Sequence, residues 1–466
     1  MDQLNTLPRT KGIIENTNWN LKKILWRKLR KFQLLLSPQQ NLLFGFLVYS
    51  IIGWMLLCLP FMHKLDVSPI DHLFTAASAL STTGLVTSSL YDTYNIWGQM
   101  VVALLIQIGG IGYMTFTSFV LIAKGSQLTH WHQRVLNAEF SVPREFKLRD
   151  FLKAVIIFTI IIELLGAICF YIGFIRLGVE PNFALWSSIF HSISTFCTAG
   201  FGLYNDSFEQ FKGDVFLNTI ISVLALAGSL GFIVVTDVWH RITGRSKKLT
   251  FTTHAIIHVT WILLLVGTAL FYFFEPTLAL YEEDKLMISF FQAMTALTTV
   301  GFNTIPVGNL TTSVLMVLVM LMFIGASPAG TGGGLKSTTF AILITLVWNK
   351  IRNNRSILFF GKKLSSKKIE LATSIFTLYS GVMCVAVFLL LLVDDFPLEK
   401  IIFEAVSALG TVGLSTGITG QLSVAGKLIL IAVMFVGRLG VLTFGLALLA
   451  HKDKNMDINA EEDLSI

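Results

Sequence analysis

The sequence contains little charge. Only 14% of its 466 residues are Asp, Glu, Lys or Arg, whereas 54% are hydrophobic. Soluble globular domains carry about 25% charged residues. This composition, with a mean hydropathy of +0.71, excludes an ordinary soluble enzyme or binding domain and predicts an integral membrane protein.

Cysteine is equally scarce. Cys58, Cys169, Cys197 and Cys384 do not have the spacing of a disulfide framework or a metal site. The sequence also lacks a G-x-G-x-x-G motif after a strand pattern and any soluble region longer than about 40 residues. We therefore expect no nucleotide to be bound by this chain.

What the sequence does contain is a set of long apolar runs, each of about the 20 residues or more that a helix needs to cross a bilayer. They lie near residues 41–62, 96–123, 151–175, 215–240, 252–274, 311–349, 371–393 and 424–450. The first run follows a polar, basic leader without a small-residue cleavage pattern, so we interpret it as a retained membrane helix. The pattern predicts eight spanning helices.

Positive residues fall mostly on one side of these runs. Twenty-six Lys and Arg residues lie in 1–40, 124–150, 241–248, 350–368 and the tail, whereas six lie on the opposite side. Since positive residues flank cytoplasmic helix ends, both termini are predicted to be cytoplasmic. The juxtamembrane position of the basic leader favours contact with lipid headgroups over nucleic-acid binding.

Four similar segments, the glycine heptads, recur along the chain: STTGLVT (81–87), CTAGFGL (197–203), TTVGFNT (298–304) and GTVGLST (410–416). They align on Gly84, Gly200, Gly301 and Gly413. Each glycine is preceded by a threonine at two residues, a hydroxyl residue at six and a phenylalanine at ten. Agreement at these offsets in four places identifies an internal repeat.

Each repeat consists of a long apolar run, a stretch of about a dozen residues, a glycine heptad and a second long run. A dozen residues cannot cross a bilayer, so the short stretch is predicted to be a re-entrant pore helix that enters and leaves from the outer face. Small residues also serve close helix packing in membranes. The heptads, however, follow a short helix at a turn, and irregular backbone at membrane depth is tolerated where it lines a water-filled path.

The residues around the four glycines offer main-chain carbonyl oxygens and no titratable group, which excludes acid–base or nucleophilic catalysis by them. Glycine permits backbone angles that let successive carbonyls point to one side. Four such segments around an axis would replace the hydration shell of a cation, which the C-terminal ends of the pore helices also favour. The predicted ion-binding residues are Thr82, Thr83, Gly84, Thr198, Ala199, Gly200, Thr299, Val300, Gly301, Thr411, Val412 and Gly413.

The second long run of the third repeat is interrupted by GASPAGTGGGLKST, residues 325–338. Five glycines and Pro328 cannot remain an ordinary helix. A phosphate-binding loop needs glycine before its lysine, whereas Leu335 precedes Lys336 here. A broken segment on the cytoplasmic side of the filter would obstruct permeation, and the predicted gate comprises Gly325, Ser327, Gly330, Thr331, Gly332, Gly333, Gly334, Lys336 and Arg438.

Three charged or titratable residues in apolar segments have competing interpretations. Arg438 lies in mid-run with no close helix end, and it either holds carbonyls of the broken segment or pairs structurally. Lys336 either extends toward the cytoplasm or forms a positive barrier to cations. Structural roles are favoured for Glu163 and His191, with a contact from Glu163 to a pore helix through His191.

These features resemble the Trk/Ktr/HKT superfamily of potassium transporters. Four covalent membrane–pore–membrane repeats with one filter glycine each, together with GASPAGTGGGLKSTTF and MFVGRLG, are most similar to bacterial KtrB-type subunits over roughly residues 40–450. The resemblance implies potassium (K+) uptake across the bacterial plasma membrane through a channel-like filter with an intramembrane gating loop, and no enzymatic activity. In this family four filter glycines accompany potassium selectivity, whereas serine at the first position, here Gly84, accompanies sodium transport.

The resemblance also implies a homodimer that works on a ring of cytosolic nucleotide-binding, KtrA-like regulatory subunits, with 124–150 and 350–368 as candidate docking surfaces. Sodium (Na+) as a co-transported or activating ion is left open. The potassium-binding chain of a potassium-pumping ATPase shares the four-unit plan, but it is usually longer and has additional spanning helices. Alternating-access symporters use inverted repeats, whereas every unit here has one orientation.

The predicted fold is all-α: four covalently linked membrane helix–pore loop–membrane helix units around a pseudo-fourfold central pore, with eight spanning and four re-entrant pore helices. The units cover residues 41–123, 151–243, 252–349 and 371–450. Residues 1–40 are predicted to be a cytoplasmic basic segment and residues 451–466 a cytoplasmic tail.

Overall fold

The computed structural model describes residues 36–112, 115, 118 and 148–449, with the exception of 245, 247 and 355. Within these residues the chain is almost entirely helical, and the sheet described there is a two-stranded hairpin. The basic segment 1–35, nearly all of the 113–147 connection and the 450–466 tail lie outside the described residues. The predictions of lipid contact and partner docking by these parts therefore stay predictions.

The helices of the first two repeats are α1 (Pro38–Leu57), α2 (Pro69–Leu80), the one-turn α3 (Leu90–Thr93), α4 (Ile96–Ile111), α5 (Leu148–Arg176), α6 (Pro181–Phe196), α7 (Val215–Ser229) and α8 (Phe232–Ile242). Those of the last two are α9 (Phe251–Phe274), α10 (Lys285–Thr298), α11 (Thr312–Ile324), α12 (Ser337–Ile351), α13 (Ser366–Val393), α14 (Leu398–Gly410), α15 (Val424–Leu439) and α16 (Val441–Leu449). Between α12 and α13, strand β1 (Leu358–Phe359) pairs antiparallel with β2 (Lys362–Lys363). Short 3₁₀ turns cover Pro60–Met62, Glu209–Phe211, Pro276–Tyr281, Val307–Asn309 and Thr419–Gln421.

Four helices are long and apolar enough to cross a membrane, and each is the first helix of a repeat: α1, α5 from Phe151 onward, α9 and α13. Two more candidates arise if the bent pairs α7–α8 and α15–α16 each count as one span. Helices α4, α11 and α12 are apolar but shorter. The described residues thus form a mostly helical membrane protein with four to six candidate spans, fewer than the eight predicted.

The difference arises because the second helix is interrupted not only in the third repeat but also in the second and fourth repeats. The axes of α7 and α8 differ by 97°, and those of α15 and α16 by 103°. Gly231 and Gly440, at these breaks, have φ of 89° and 82°, and Gly112 after α4 has 87°. The prediction of unbroken helices over 215–240 and 424–450 was wrong, because one glycine inside an apolar run is a weak sequence signal for a break.

The short helices α2, α6, α10 and α14 pack in a closed ring. Each contacts the first helix of its own repeat, α1, α5, α9 and α13 respectively, and the second helix of the preceding repeat, in the pairs α15–α2, α4–α6, α7–α10 and α11–α14. The phenylalanines ten residues before the heptad glycines are all fully buried in this packing: Phe74, Phe190, Phe291 and Phe403. The conserved offset seen in the repeats is therefore an anchor of the short helix in the core.

An ion pair strengthens the junction between the last repeat and the first. Lys427 Nζ on α15 lies 2.8 Å from Asp71 Oδ1 in the first turn of α2, and both side chains are largely buried. Burial by itself would raise the pKa of Asp71, but hydrogen bonds from Lys427, Ser68 and Thr87 outweigh it and hold the pKa below its usual value. The carboxylate therefore stays charged and ties the ends of the ring together.

Gly437 sets the spacing between α15 and α14, because a Cβ added there would lie 2.1 Å from the carbonyl oxygen of Leu409. Gly437→Ala should push α15 away and destabilise the protein by about 1–3 kcal/mol, the usual cost of overpacking. Gly381→Ala is the matched control, since a Cβ at Gly381 on α13 meets nothing within 4 Å. Alanine there should leave stability unchanged or raise it slightly. The midpoint of thermal unfolding in detergent measures both, and equal losses would contradict the proposed contact.

Candidate functional site

The four glycine heptads adopt one backbone conformation. The threonine two residues before each glycine has a positive φ, of 52° at Thr82, 50° at Thr198, 62° at Thr299 and 50° at Thr411. The glycines follow with φ of 88° (Gly84), 66° (Gly200), 79° (Gly301) and 94° (Gly413). Positive φ is strained for a β-branched residue, and such strain clusters at functional sites. The sequence repeat is thus a structural repeat with the same irregular turn in each copy.

The hydroxyl residue six before each glycine attaches the heptad to its short helix. Its carbonyl oxygen accepts the N–H of the residue before the glycine in all four copies: Thr83 to Ser78 at 2.8 Å, Ala199 to Ser194 at 2.8 Å, Val300 to Thr295 at 3.2 Å and Val412 to Ser407 at 2.8 Å. The hydroxyls of Ser78 and Ser407 also accept the N–H of Gly84 and Gly413, each at 3.1 Å. These bonds fix the heptad backbone without using the carbonyl oxygens of the heptad itself.

The carbonyl oxygens before the glycines lie in a ring of contacts between repeats. A Cβ added to Gly84 would lie 2.3 Å from the carbonyl oxygen of Ala199, and one added to Gly200 would lie 2.3 Å from that of Val300. A Cβ added to Gly301 would lie 2.0 Å from the carbonyl oxygen of Val412, and one added to Gly413 would lie 2.3 Å from that of Thr83. The series passes from repeat one to two, three, four and back to one. Any side chain at the four glycines would therefore strike a main-chain carbonyl of the next repeat.

The broken segment of the third repeat, residues 325–336, lies against all four threonines of this ring. Thr82 Oγ1 donates to the carbonyl of Thr331 at 3.3 Å, and Thr198 Oγ1 is 3.0 Å from Thr331 Oγ1. A Cβ at Gly332 would lie 2.0 Å from Thr299 Oγ1. A Cβ at Gly333 would lie 2.5 Å from Thr411 Oγ1. The segment thus crosses the face of the ring formed by the threonines, and its glycines permit the close approach.

Thr331 is the point at which the broken segment contacts the other repeats. Besides its contacts with Thr82 and Thr198, it donates its N–H to Gly228 on α7 at 3.1 Å. Its hydroxyl donates to the carbonyl of Phe196 at the end of α6, also at 3.1 Å. The side chain is completely buried. A single residue of the third repeat is therefore bonded to the first and second repeats.

The rest of the segment is closed by its own bonds and by the break between α7 and α8. Ala326 donates its N–H to Gly333 at 3.1 Å, and Ser327 Oγ is 2.9 Å from Ser337 Oγ. The N–H of Phe232, the first residue of α8, donates to Ala329 at 3.0 Å. Lys336 Nζ donates to the carbonyl of Gly332 at 2.7 Å. The ammonium group therefore folds back onto the segment instead of extending away from it.

Arg438 connects the segment to the fourth and first repeats. Its guanidinium donates to the carbonyl of Thr331, and also to the carbonyls of Gly109 and, at 3.1 Å, Gly110 near the end of α4. The expectation that no helix end lies near Arg438 was wrong, because α15 ends at Leu439. A cation suits the partially negative C-terminal ends of α4 and α15. The expected contact with the broken segment is present, and the contact with α4 could not be read from the sequence.

Glu163 and His191 do not meet as expected. The carboxyl group of Glu163 on α5 lies 3.8 Å from Sγ of Cys197, the first residue of the second glycine heptad. His191 instead bonds to the carbonyl of Ser187 through Nδ1 at 2.7 Å. Its Nε2 accepts the N–H of Leu203, three residues after Gly200, at 3.2 Å. Glu163 therefore reaches the end of its short helix by a different route, and His191 supports the far end of the heptad.

The bond from His191 to the segment after the ring has a counterpart in the fourth repeat, at a residue that the predicted site did not include. Glu404 stands nine residues before Gly413, as His191 stands nine before Gly200, and its Oε1 accepts the N–H of Thr416, three residues after Gly413, at 2.9 Å. Oε1 also accepts the Ser415 hydroxyl at 2.6 Å. Oε2 accepts the Thr419 hydroxyl at 2.7 Å. The carboxyl group is fully buried, and its two oxygens connect the short helix to residues 415–419.

The sequence did contain a signal for this position. The residue nine before each glycine is polar in every repeat and at most 2% exposed: Thr75, His191, Gln292 and Glu404. Buried polar residues usually have hydrogen-bond partners, so a polar residue at this position in every repeat marks it as a candidate support. Here it supports the segment that follows the ring in the second and fourth repeats. Thr75 instead donates to the carbonyl of Asp71 in its own helix at 2.9 Å, and the Gln292 amide has no hydrogen-bond partner within the described residues.

Comparison with known proteins agrees with this architecture. The family model described as TrkH, cation transport protein, matches residues 46–458. The chain belongs to the TrkH family of cation transport proteins. Relatives of this TrkH-family chain include Ktr system potassium uptake protein B of Bacillus subtilis (strain 168), 36% identical over 88% of this chain and 92% of the relative. The Vibrio alginolyticus protein of the same name is 33% identical over 86% of this chain and 89% of its own.

A third relative and one solved structure complete the comparison. Potassium/sodium uptake protein NtpJ of Enterococcus hirae is 32% identical over 90% of this TrkH-family chain and 94% of its own. The crystal structure of the potassium transporter TrkH from Vibrio parahaemolyticus is similar in fold, with a TM-score of 0.69 and 21% identity over 89% of this chain and 85% of that one. The relatives are named as transporters, and enzymatic activity is not part of the family description.

Replacing Glu404 tests whether the support behind the ring matters for this TrkH-family chain. Glu404→Gln keeps the shape but presents an amide NH₂ to a set of donors, so the segment 415–419 should loosen. A typical intramolecular hydrogen bond contributes about 0.5–1.5 kcal/mol, and loss of one or two of them should weaken the apparent affinity for the transported cation roughly tenfold. Discrimination among alkali cations should also fall. Uptake kinetics in a transport-deficient bacterium provide the measurement.

Glu399→Gln is the control, because Glu399 is an exposed carboxylate in the first turn of the same helix. It should leave affinity and discrimination unchanged. If the two variants behave alike at equal membrane abundance, Glu404 does not support the site.

Proposed function

We propose that the chain takes up potassium across the bacterial plasma membrane through a pore whose selectivity filter is the ring of glycine heptads. The observation that carries the proposal is the closed series of carbonyl-to-glycine contacts through all four repeats. The names of the relatives, two Ktr potassium uptake proteins and a potassium/sodium uptake protein, support potassium as the substrate. The name of the potassium/sodium uptake protein is also the basis on which sodium is proposed as an activating or accompanying ion.

The chemistry of the ring suits a monovalent cation of low charge density. Neutral carbonyl dipoles can replace the hydration shell of potassium, and selectivity then depends on the number and spacing of the dipoles. The proposed ligands are the main-chain oxygens of residues 82–84, 198–200, 299–301 and 411–413. The short helices α2, α6, α10 and α14 end where the heptads begin, so their partially negative ends favour a cation as well.

The ring requires a pore of four units, each with a first helix, a re-entrant short helix and a second helix. Eight spans result if the second helix of each repeat is counted as one span across its break. Within the described residues, no single piece of a broken second helix is long enough to cross a membrane by itself. The side rich in Lys and Arg is proposed to be cytoplasmic, and both termini lie there. Packing of the short helices between successive repeats supports this pseudo-fourfold arrangement.

The broken segment 325–336 is proposed to be the gate. Its contacts with the four ring threonines put backbone across one mouth of the filter, where it would block a hydrated ion. Arg438 is proposed to act as its latch through the carbonyl of Thr331, with α4 as the fixed support. Lys336 is proposed to reinforce the same barrier through its bond to the carbonyl of Gly332.

Regulation is proposed to come from outside the chain. By analogy with the family, two copies would assemble on a cytosolic ring of nucleotide-binding subunits, and displacement of a loop on the positive side would be passed to the gate. Loop 350–368 lies between α12, which leaves the gate segment directly, and α13. This connection makes it the shortest covalent route from a docked partner to the gate.

Gly84→Ser should weaken discrimination of potassium from sodium. The side chain would collide with the carbonyl of Ala199, which lies 2.3 Å from the Cβ position, and would displace one quarter of the ring. Flux of potassium, sodium and rubidium into liposomes with the purified protein measures the selectivity. Gly178→Ser is the control, since Gly178 also has a positive φ but a Cβ there meets nothing within 4 Å. Unchanged selectivity in Gly84→Ser would refute the filter assignment.

Arg438→Ala should raise potassium flux without changing selectivity. Bonds of a charged donor contribute about 1.5–3 kcal/mol each, so loss of the bond to Thr331 should shift a two-state gate about tenfold or more toward open. Arg438→Lys should be intermediate, because lysine keeps the charge but not the planar fork. The maximal uptake rate per inserted protein provides the measurement. A correctly inserted alanine variant that is slower than the parent would mean that the arginine supports conduction or folding, and the latch would have to be abandoned.

A further inference from the structure

We propose that a cleft at the start of α9, the basic cleft, binds the phosphate of an anionic membrane lipid. The cleft has a volume of about 540 Å³. Its lining includes Arg241, Lys248, His254, His258, Phe360 and Lys362. It is remote in sequence from the glycine heptads and from the gate segment, and neither filter nor gate uses these side chains.

Three cations converge on the cleft from three different elements. Arg241 lies in the last turn of α8, Lys248 in the connection to α9, and Lys362 on β2 of the hairpin. No carboxylate is among the described residues that line it, and none of the three cations has an ion-pair partner within the part of the chain that the structure describes. Converging cations without a carboxylate repel one another unless an anion occupies the space between them.

The geometry of α9 adds to this preference. Phe251, His254 and His258 occupy one face of its first two turns, and the N-terminal end of a helix attracts anions. Asp237, the nearby acid on α8, is only 2% exposed and accepts the N–H of Thr250 at 2.7 Å. Its side chain is thus buried and bonded to the main chain. This bond fixes the start of α9 beside α8 and so shapes the cleft.

The surroundings favour a lipid over a soluble anion. Because α9 is one of the four long candidate spans, its first turn marks the membrane boundary. The hairpin packs on this turn, with ring centroids 5.8 Å apart for Phe251 and Phe359 and 5.6 Å for His258 and Phe360. Large aromatic side chains stay exposed on the adjoining elements, including Trp239, Trp348 and Phe360. Exposed aromatic residues beside basic ones are typical of the headgroup level of a bilayer.

Lipid binding would also reach the gate. Helix α8 carries Arg241 at its last turn and, at its first, the N–H of Phe232 that donates to Ala329 of the gate segment at 3.0 Å. A headgroup that holds α8 against α9 and the hairpin would therefore hold one support of the segment in place. This consequence rests on the gate proposed above, whereas binding itself does not.

Native mass spectrometry of the purified full chain tests the binding. Phosphatidylglycerol, phosphatidylcholine and inorganic phosphate are titrated separately. The parent should retain phosphatidylglycerol in preference to phosphatidylcholine, and millimolar inorganic phosphate should not displace it. The triple variant Arg241→Gln, Lys248→Gln, Lys362→Gln should bind phosphatidylglycerol on the order of tenfold more weakly or worse, since each basic side chain near an anionic surface adds to the attraction.

A second triple variant, Lys350→Gln, Lys363→Gln, Lys367→Gln, removes the same charge from exposed positions that do not line the cleft. It should retain the lipid like the parent. Equal loss in both triples would mean a diffuse surface charge and would overturn the proposal. Displacement by inorganic phosphate would make the ligand a soluble anion instead. If the cleft triple retains the lipid like the parent but no longer binds a cytosolic regulatory subunit, the cleft is a protein docking site and the lipid proposal is overturned.

In liposomes of phosphatidylglycerol, the cleft triple should differ from the parent in potassium flux, and in liposomes of phosphatidylcholine it should not. Lost lipid binding with unchanged flux would leave the site in place and remove only its coupling to the gate. Selectivity should be the same for both proteins in both lipids, so failure of the filter proposal would be seen separately.

Discussion

The contact between a heptad glycine and the carbonyl oxygen of the next repeat constrains the whole molecule. It repeats four times and closes on itself, so the four repeats must come together at one set of distances. Each short helix packs between the first helix of its own repeat and the second helix of the preceding repeat, which brings the four heptads together. The buried phenylalanines and the Asp71–Lys427 ion pair stabilise this packing. A side chain at any of the four glycines would collide with a carbonyl of the next repeat and open the ring.

The positive φ of the four ring threonines has two structural consequences. Four threonines at positive φ turn the chain so that the glycines meet the carbonyls, and their hydroxyl sides then face the broken segment. Thr331 and Arg438 collect contacts from the other three repeats onto that segment. Movement of the segment must therefore exchange bonds with the ring itself or with the helix ends around it. This arrangement joins a closed ring of backbone contacts to a neighbouring segment in which five of twelve residues are glycine.

One chain with four unequal repeats can do what four identical subunits cannot. A single segment from the third repeat covers the ring, and a single arginine from the fourth repeat holds it. The supports behind the ring also differ: Glu404 holds the segment after the heptad in the fourth repeat and His191 holds it in the second, whereas Thr75 bonds within its own helix. The hydrogen bonds behind the ring therefore differ from repeat to repeat, and the surroundings of the ring are not fourfold.

The sequence by itself determined the membrane class, the fourfold repeat, the short helices and the one break that five glycines and a proline make unavoidable, because these follow from local composition and periodicity. It did not determine the bends at Gly231 and Gly440, since a lone glycine in an apolar run is compatible with a straight helix. It paired Glu163 with His191 from their chain positions, whereas packing brought Glu163 to Cys197. The order of contacts in the ring, the partners of Arg438 on α4, and the meeting of Arg241, Lys248 and Lys362 were decided only by tertiary structure. Each of these depends on which surfaces of distant segments are buried together, and no local pattern in the chain specifies that.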